Sequence, residues 1–220
     1  MGFRGMAKTS RKEREKDLRL NGIIDAAERI FAAKGFDYAT MDEIAREAEF
    51  TKRTVYGYFP GKADIFAAVT SRALSVLVGM FKDAAASGET GFERVSGIGR
   101  AYVSFFENYP DYFRILSCKA NCVTASGTFA DEVRRLDEEM FGIITRSFEE
   151  GRVDGTIRKD IEPKIAALHV VSVSNGLLEM VSRFGGRIEK DFGISATDFI
   201  EYSMNLIGDS IRYTKKGESK

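Results

Sequence analysis

The chemistry in this chain is densest between Thr40 and Lys62. Three cations, Lys52, Arg53 and Lys62, fall in the first turns of helices that the spacing of apolar residues predicts. The first turn of a helix already carries partial positive charge, so each cation there costs about 0.3–1 kcal/mol. An anion that receives both the side-chain charge and the free backbone N–H groups reverses that cost, and phosphate is such an anion. Thr40, Thr51, Thr54, Tyr56 and Tyr58 add neutral donors along the same stretch. Together they read as a surface that clamps phosphates and reaches base edges. A solvated basic face is the plainer alternative for the cations, and packing against a neighbouring helix is the alternative for the two tyrosines.

Such a surface needs short helices set close together. Thr40-Met41-Asp42-Glu43 is a capping box, with Thr40 as N-cap and Glu43 at the third helical position. The helix it opens carries Met41, Ile44, Ala45 and Ala48. Thr51 caps a second, Lys52 to Phe59, which Pro60-Gly61 ends. Two short helices across a three-residue turn are the layout of a helix-turn-helix, and Ala45 and Val55 are compact enough for a steep crossing. Upstream, Leu20, Ile23, Ile24, Ala27, Ile30 and Phe31 recur at helical spacing until Gly35, and Phe36–Ala39 reads as a connector. Arg11–Arg19 is charged in both signs and reads as an exposed arm or a frayed first turn. Downstream, a long amphipathic helix begins at Lys62, and helices follow at roughly 89–108, 110–118, 127–150, 161–184 and 195–213. Glycine or proline marks each break. No segment alternates as a strand would, so the expected class is all-α, with about nine helices.

Net charge is zero, yet residues 1–62 hold thirteen basic against ten acidic side chains, leaving an acidic remainder. A basic front on an acidic body suits a protein that offers one end to a polyanion. Cys118, Cys122 and the single histidine, His169, are too few for a structural zinc site, and no metal or cofactor is expected. No nucleophile–histidine pair or phosphate loop suggests an enzyme. No apolar run reaches the ~18 residues of a membrane span, and Met1–Ser10 is short and polar, so a cytoplasmic location and no membrane partner are expected.

Ile23-Ile24-Asp25-Ala26-Ala27, Phe31-Ala32-Ala33-Lys34-Gly35-Phe36, Thr40-Met41-Asp42-Glu43-Ile44-Ala45 and Thr51-Lys52-Arg53-Thr54-Val55-Tyr56-Gly57-Tyr58-Phe59-Pro60-Gly61-Lys62 together resemble the TetR/AcrR family signature, in order and spacing. Asn108-Tyr109-Pro110-Asp111-Tyr112-Phe113 and Glu150-Gly151 to Arg158 resemble pieces of that family's C-terminal domains more loosely. The resemblance implies a helix-turn-helix domain of three helices, a fourth linking helix, a ligand-binding bundle and a dimer interface on the last two helices. Residues 1–62 would be the arm and DNA-binding domain, 63–214 the ligand-binding and dimerisation domain, and 215–220 a disordered tail. Carried over, Lys52–Tyr58 is the recognition helix. Arg53 and Thr54 would read bases, and Thr40, Lys52, Tyr56, Tyr58 and Lys62 would meet phosphates. Arg11, Lys12 and Arg14 would reach the DNA backbone or minor groove. The chain departs from the family in two places: Glu49 stands in the turn where glycine is usual, and Tyr58 stands where histidine is frequent.

Tyr102, Phe105, Phe106, Tyr109, Phe113, Phe141 and Phe184 form aromatic stripes that either fill a core or line a pocket for a small apolar or amphipathic ligand. Ile165, Ala166, Val170, Val173, Leu177 and Leu178, with Phe199, Tyr202, Leu206, Ile207 and Ile211, make two apolar faces expected to meet their copies in a homodimer. His169 reads as a core or interface residue, and the two cysteines as inert buried thiols. The expected function is a homodimeric repressor that leaves double-stranded operator DNA when its ligand binds. The rival reading is an interaction protein whose bundle docks another protein.

Overall fold

The computed structural model of the protein describes residues 11–122 and 124–213, so the N-terminal ten residues and the expected tail at 215–220 lie outside the described residues. Within them stand nine α-helices: α1 Arg11–Tyr38, α2 Met41–Glu47, α3 Lys52–Tyr58, α4 Lys62–Ser87, α5 Gly91–Asn108, α6 Pro110–Ser117, α7 Thr128–Asp154, α8 Pro163–Phe192 and α9 Ala196–Ile211. A 3-10 turn, Lys119–Cys122, follows α6. Extended pairing among the described residues is confined to one bridge, Ile157 with Arg212.

The described chain forms two compact units. One holds residues 11–72 with 114–132, and the other holds 73–113 with 133–213. In the first, Ile23, Ala26, Ala27 and Phe31 of α1 are buried with Ile44 of α2, Val55 of α3 and Ile65 and Phe66 of α4. Phe31 and Phe66 meet edge to face at 5.0 Å, the favoured geometry of an aromatic pair. Ion pairs brace the rim of this core. Arg72 of α4 reaches Asp25 at 2.7 Å and Glu28 at 3.0 Å on α1, and Arg29 reaches Glu47 of α2 at 2.7 Å.

The second unit rests on close helix approaches and long packed faces. A Cβ at Gly91 would lie 2.0 Å from the Gly151 backbone nitrogen, so α5 and α7 meet there only because Gly91 lacks a side chain, while a Cβ at Gly151 would run into the Ile157 side chain at 2.5 Å. The N-terminus of α5 is capped from two directions. Thr90 and Glu93 make a capping box, while the Gly91 N–H donates to Asp154 at 2.7 Å and the Phe92 N–H to Thr156 at 3.1 Å. The same 156–158 segment pairs with the end of α9.

Several expected boundaries move. Arg11–Arg19 is ordered helix, exposed along its length, with Arg11 paired to Glu15 one turn on. Gly35 does break α1, at φ 76° and ψ 171°, a backbone region essentially reserved for glycine, but a further turn follows to Tyr38. α7 continues through Gly151 to Asp154, and α8 continues through Gly185-Gly186 to Phe192, where left-handed Gly193 caps it. Glycine permits a break without compelling one, and packing overrides its weak propensity. Among the described residues two helices have the length and mean apolarity to cross a membrane, although polar or charged residues interrupt the apolar run in each. α4 places 67% of that stretch inside the fold, whereas α8 places only 33% there and leaves a face uncovered.

Candidate nucleic-acid interface

α2 and α3 are held by their own caps. The Glu43 N–H donates to the Thr40 hydroxyl at 3.2 Å while the Thr40 N–H donates to the Glu43 carboxylate, and the Thr54 N–H donates to the Thr51 hydroxyl at 3.2 Å. Each such cap is worth about 1 kcal/mol. Glu43 also pairs with Lys34 of α1. That hydrogen bond, with those from Thr40, holds its carboxyl below the usual carboxylate range. Ala45 and Val55 are buried where the two helices approach. The turn between them closes as a Schellman motif: the Glu49 N–H donates to the Arg46 carbonyl and the Phe50 N–H to the Ala45 carbonyl. Its left-handed position, normally glycine, is Glu49 at φ 57°, the one non-glycine residue with positive φ among those described.

The three cations differ in what they do. Arg53, exposed in the first turn of α3, has no hydrogen bond or ion pair among the described residues. Lys52 is exposed too, but its ammonium lies 2.5 Å from Asp42 at the start of α2. Lys62 departs from expectation. Its ammonium donates to the carbonyls of Phe36 at 2.7 Å, Ala39 at 3.0 Å and Asp37 at 3.3 Å, and it sits 4.4 Å from the centre of the Phe36 ring. The carbonyls that leave α1 take up its charge, so Lys62 ties the α1–α2 connection to α4 and does not stand out as a free phosphate contact. Thr40 and Thr51 are exposed and Thr54 half-buried, with the Thr51 and Thr54 hydroxyls 2.9 Å apart. Tyr56 is exposed and Tyr58 half-buried, so the two tyrosines split between outward display and packing. Tyr38, 81% exposed two residues before Thr40, was missed by sequence reading; its only signal was an aromatic ring inside a connector.

In the second unit the aromatic set divides. Tyr102, Phe106 and Phe113 come together, Tyr102 and Phe106 each contacting Phe113, at 6.1 and 4.9 Å between ring centres. Phe105 is fully buried and stacks on Tyr109. The Tyr102 hydroxyl donates to the Asn175 side-chain carbonyl of α8 at 2.5 Å. Burial first, and then the negative charge of Glu179, push that phenol well above its ordinary value and keep it a donor. Phe141 is half-buried on α7. Phe184, expected among the pocket residues, is 52% exposed on the outer face of α8. It lies outward because it follows Met180, itself 45% exposed, by one helical turn and so shares its face.

The expected dimer residues also divide. Ala166, Leu177 and Leu178 are buried within the protomer, Val170 and Ile207 are half-buried, and Val173, Tyr202 and Leu206 are exposed. With Ile165 at 67%, Leu168 at 56% and Met180 at 45% exposure, the outward stripe of α8 is apolar for most of its length. The single face expected from sequence is therefore two faces of one helix, Ala166, Leu177 and Leu178 facing in. His169 lies on the outward stripe. Cys118 is exposed, contrary to the buried thiol expected, and the Cys122 thiol lies 3.5 Å from the Thr70 hydroxyl. Among the described residues no group of three or more His, Cys, Asp or Glu side chains is placed to hold a metal.

Residues 23–69 match the family model described as bacterial regulatory proteins, tetR family. Over 47 residues the chain is 49% identical to the HTH-type transcriptional regulator SrpR of Pseudomonas putida, a match covering 21% of this chain and 22% of SrpR. Over 170 residues it is 25% identical to the HTH-type transcriptional repressor NicS of a Pseudomonas putida strain, covering 76% of this chain and 78% of NicS. Its fold matches the crystal structure of AibR in complex with isovaleryl coenzyme A and operator DNA, at a TM-score of 0.65 and 15% identity, over 86% of this chain and 97% of that one. It matches a tetR-family regulatory protein from Rhodococcus RHA1 at a TM-score of 0.68 and 18% identity, over 94% and 100% of the two chains. The chain spans only 22% of the length of SrpR and 35% of the length of TtgW, a second HTH-type transcriptional regulator of Pseudomonas putida. The matched residues 23–69 contain the capping box, the Glu49 turn and α3 described above, so this N-terminal stretch is similar to the helix-turn-helix domain of tetR-family bacterial regulatory proteins.

Proposed function

We propose that the chain is a cytoplasmic, homodimeric repressor that holds operator DNA with α3 and releases it when a small apolar or amphipathic ligand binds among residues 63–214. The observation that carries the DNA reading is the N-terminal turn of α3. There Arg53 stands exposed with no partner among the described residues, next to free helical N–H groups and beside exposed Tyr56. An unmatched cation on a helix N-terminus is unfavourable in the free protein and favourable against a phosphate or a guanine edge. Thr40, Thr51, Lys52 and Tyr56 surround the same end and supply backbone contacts, while Thr54 lies beside Arg53 for base contact. The outward apolar stripe of α8, with Tyr202 and Leu206 of α9, supports a second copy as the partner, because a stripe of this size is uncommon on a lone soluble chain. Two copies would bring two recognition helices about 34 Å apart, into successive major grooves. The ring cluster of Tyr102, Phe106 and Phe113 supports an apolar ligand, as does the acyl thioester bound by the similarly folded AibR.

The test is selection of a preferred duplex from random DNA by the purified chain, followed by affinity measurements across a salt series. Arg53→Ala is expected to cost about 1–3 kcal/mol on the selected duplex and to relax preference at one or two base pairs. A panel of acyl thioesters and other amphiphiles is then screened for release of that duplex. Failure to recover any preferred sequence removes the regulator reading; failure of every ligand to release the DNA removes only the ligand-controlled part.

A further inference from the structure

We propose that Phe129, together with the backbone at Ser126, is a positioning residue for the recognition helix; this rests on the DNA-binding reading above. α3 has seven residues, and a helix that short has no stable orientation of its own. Its inner face is fixed by Val55, which is fully buried. Its far end is Phe59, an extended residue with its ring 2% exposed, followed at once by Pro60. The ring that covers Phe59 comes from seventy residues away. Phe129, in the first turn of α7, stacks on it with ring centres 5.9 Å apart and planes 25° from parallel. Three residues earlier the Ser126 N–H donates to the Asp64 carboxylate at 2.9 Å, and Asp64 lies in the first turn of α4. Gly127, at φ 76°, sets the chain between these two contacts.

The corner that ends α3 and starts α4 is thus gripped at Phe59 and at Asp64 by one short stretch, 126–129, which belongs to the same compact unit. A recognition helix reads bases only if its side chains are held to a fraction of an ångström, and loosening one end changes base reading more than it changes charge. Phe129 touches no DNA in this scheme; it acts through Phe59.

The experiment uses the full chain with Phe129→Leu, which keeps an apolar group and removes the ring, and Phe129→Tyr, which keeps the ring. Amide hydrogen exchange of the free proteins reports on α3, and affinities are measured for the duplex selected by the wild type and for a scrambled duplex. Phe129→Leu is expected to raise exchange at Val55 and Phe59 while leaving α5 protected. It is expected to weaken the selected duplex about tenfold, with the scrambled duplex and the salt slope unchanged, and Phe129→Tyr is expected to restore both. Faster exchange with wild-type selectivity, or an equal loss on both duplexes, overturns the positioning role. Unchanged exchange in α3 overturns the brace itself, and does so even if the wild type selects no duplex, an outcome that would separately remove the DNA-binding reading.

Discussion

At Glu49 a side chain occupies a backbone conformation that disfavours it. The Schellman turn after α2 needs a left-handed residue, and at φ 57° a Cβ costs roughly 1–2 kcal/mol that glycine avoids. Part of that gain is offset, because glycine has more freedom to lose on folding. Glu49→Gly is therefore expected to stabilise the chain by about 0.5 kcal/mol, a rise of one or two degrees in Tm by calorimetry. Glu49→Gln keeps the strain and removes the charge, and should strengthen binding to any duplex without raising Tm; a Tm gain in Gln equal to that in Gly would show that charge, not φ, was the source. Lys62 gives the complementary case. Its charge is received by three carbonyls, so Lys62→Met should lower stability by about 2 kcal/mol and leave the salt slope of DNA binding unchanged. Lys52→Met should reduce that slope by about one. A slope that falls with Lys62→Met would return that lysine to the phosphate contacts.

At the scale of elements, caps and close crossings decide where helices stop. Asp154 closes α7 and caps α5 at once, accepting from the Gly91 N–H at 2.7 Å and from the Thr156 N–H and hydroxyl. Desolvation pushes its carboxyl upward, but the hydrogen bonds from Thr156 and Gly91, with the nearby charge of Arg94, outweigh it and leave the value lowered. A carboxyl lowered in the folded state stabilises the protein above its unfolded value and loses that contribution as pH falls through the folded one. Stability should therefore decline below about pH 4. Asp154→Ala, expected to cost about 1 kcal/mol at pH 7, should flatten part of that decline in denaturant titrations run from pH 7 to pH 3. Equal slopes in the two proteins would mean that other carboxylates carry the acid sensitivity. The capping boxes at Thr40 and Thr90 are both plain in the text of the chain, whereas the Asp154 cap on α5 joins residues sixty-three apart and leaves no local pattern.

For the molecule as a whole, the proposed pairing of two copies rests on the outward stripe of α8 and on Tyr202 and Leu206 of α9. A charge set into the middle of such a face is left unpaired and desolvated. Leu206→Glu is expected to raise the dissociation constant of the pair by about a hundredfold or more, read by sedimentation velocity. Operator affinity should fall with it, while the helical content of the protomer holds. Ala166→Ser, on the buried side of α8, should leave the pairing unchanged. Dissociation that follows the buried face and spares Leu206 would relocate the interface.

Residue order alone carried the helix-turn-helix. Caps, period and turn chemistry there are local, so Thr40, Glu43, Thr51 and the cation-bearing start of α3 were legible before any fold was known. The all-helical class followed from period for the same reason. What lay beyond reach depends on which distant groups meet. Whether a cation is free or spent was decided by the carbonyls around Lys62 and the carboxylate beside Lys52. Which side of α8 faces out was decided by its neighbours, because an apolar helix with two apolar sides has no phase of its own to declare. The continuation of helices through Gly151 and Gly185-Gly186, and the placement of 114–132 in the compact unit that contains α2 and α3, were set by tertiary packing. Local propensity near glycine is worth only about 1 kcal/mol, and many buried contacts outweigh it.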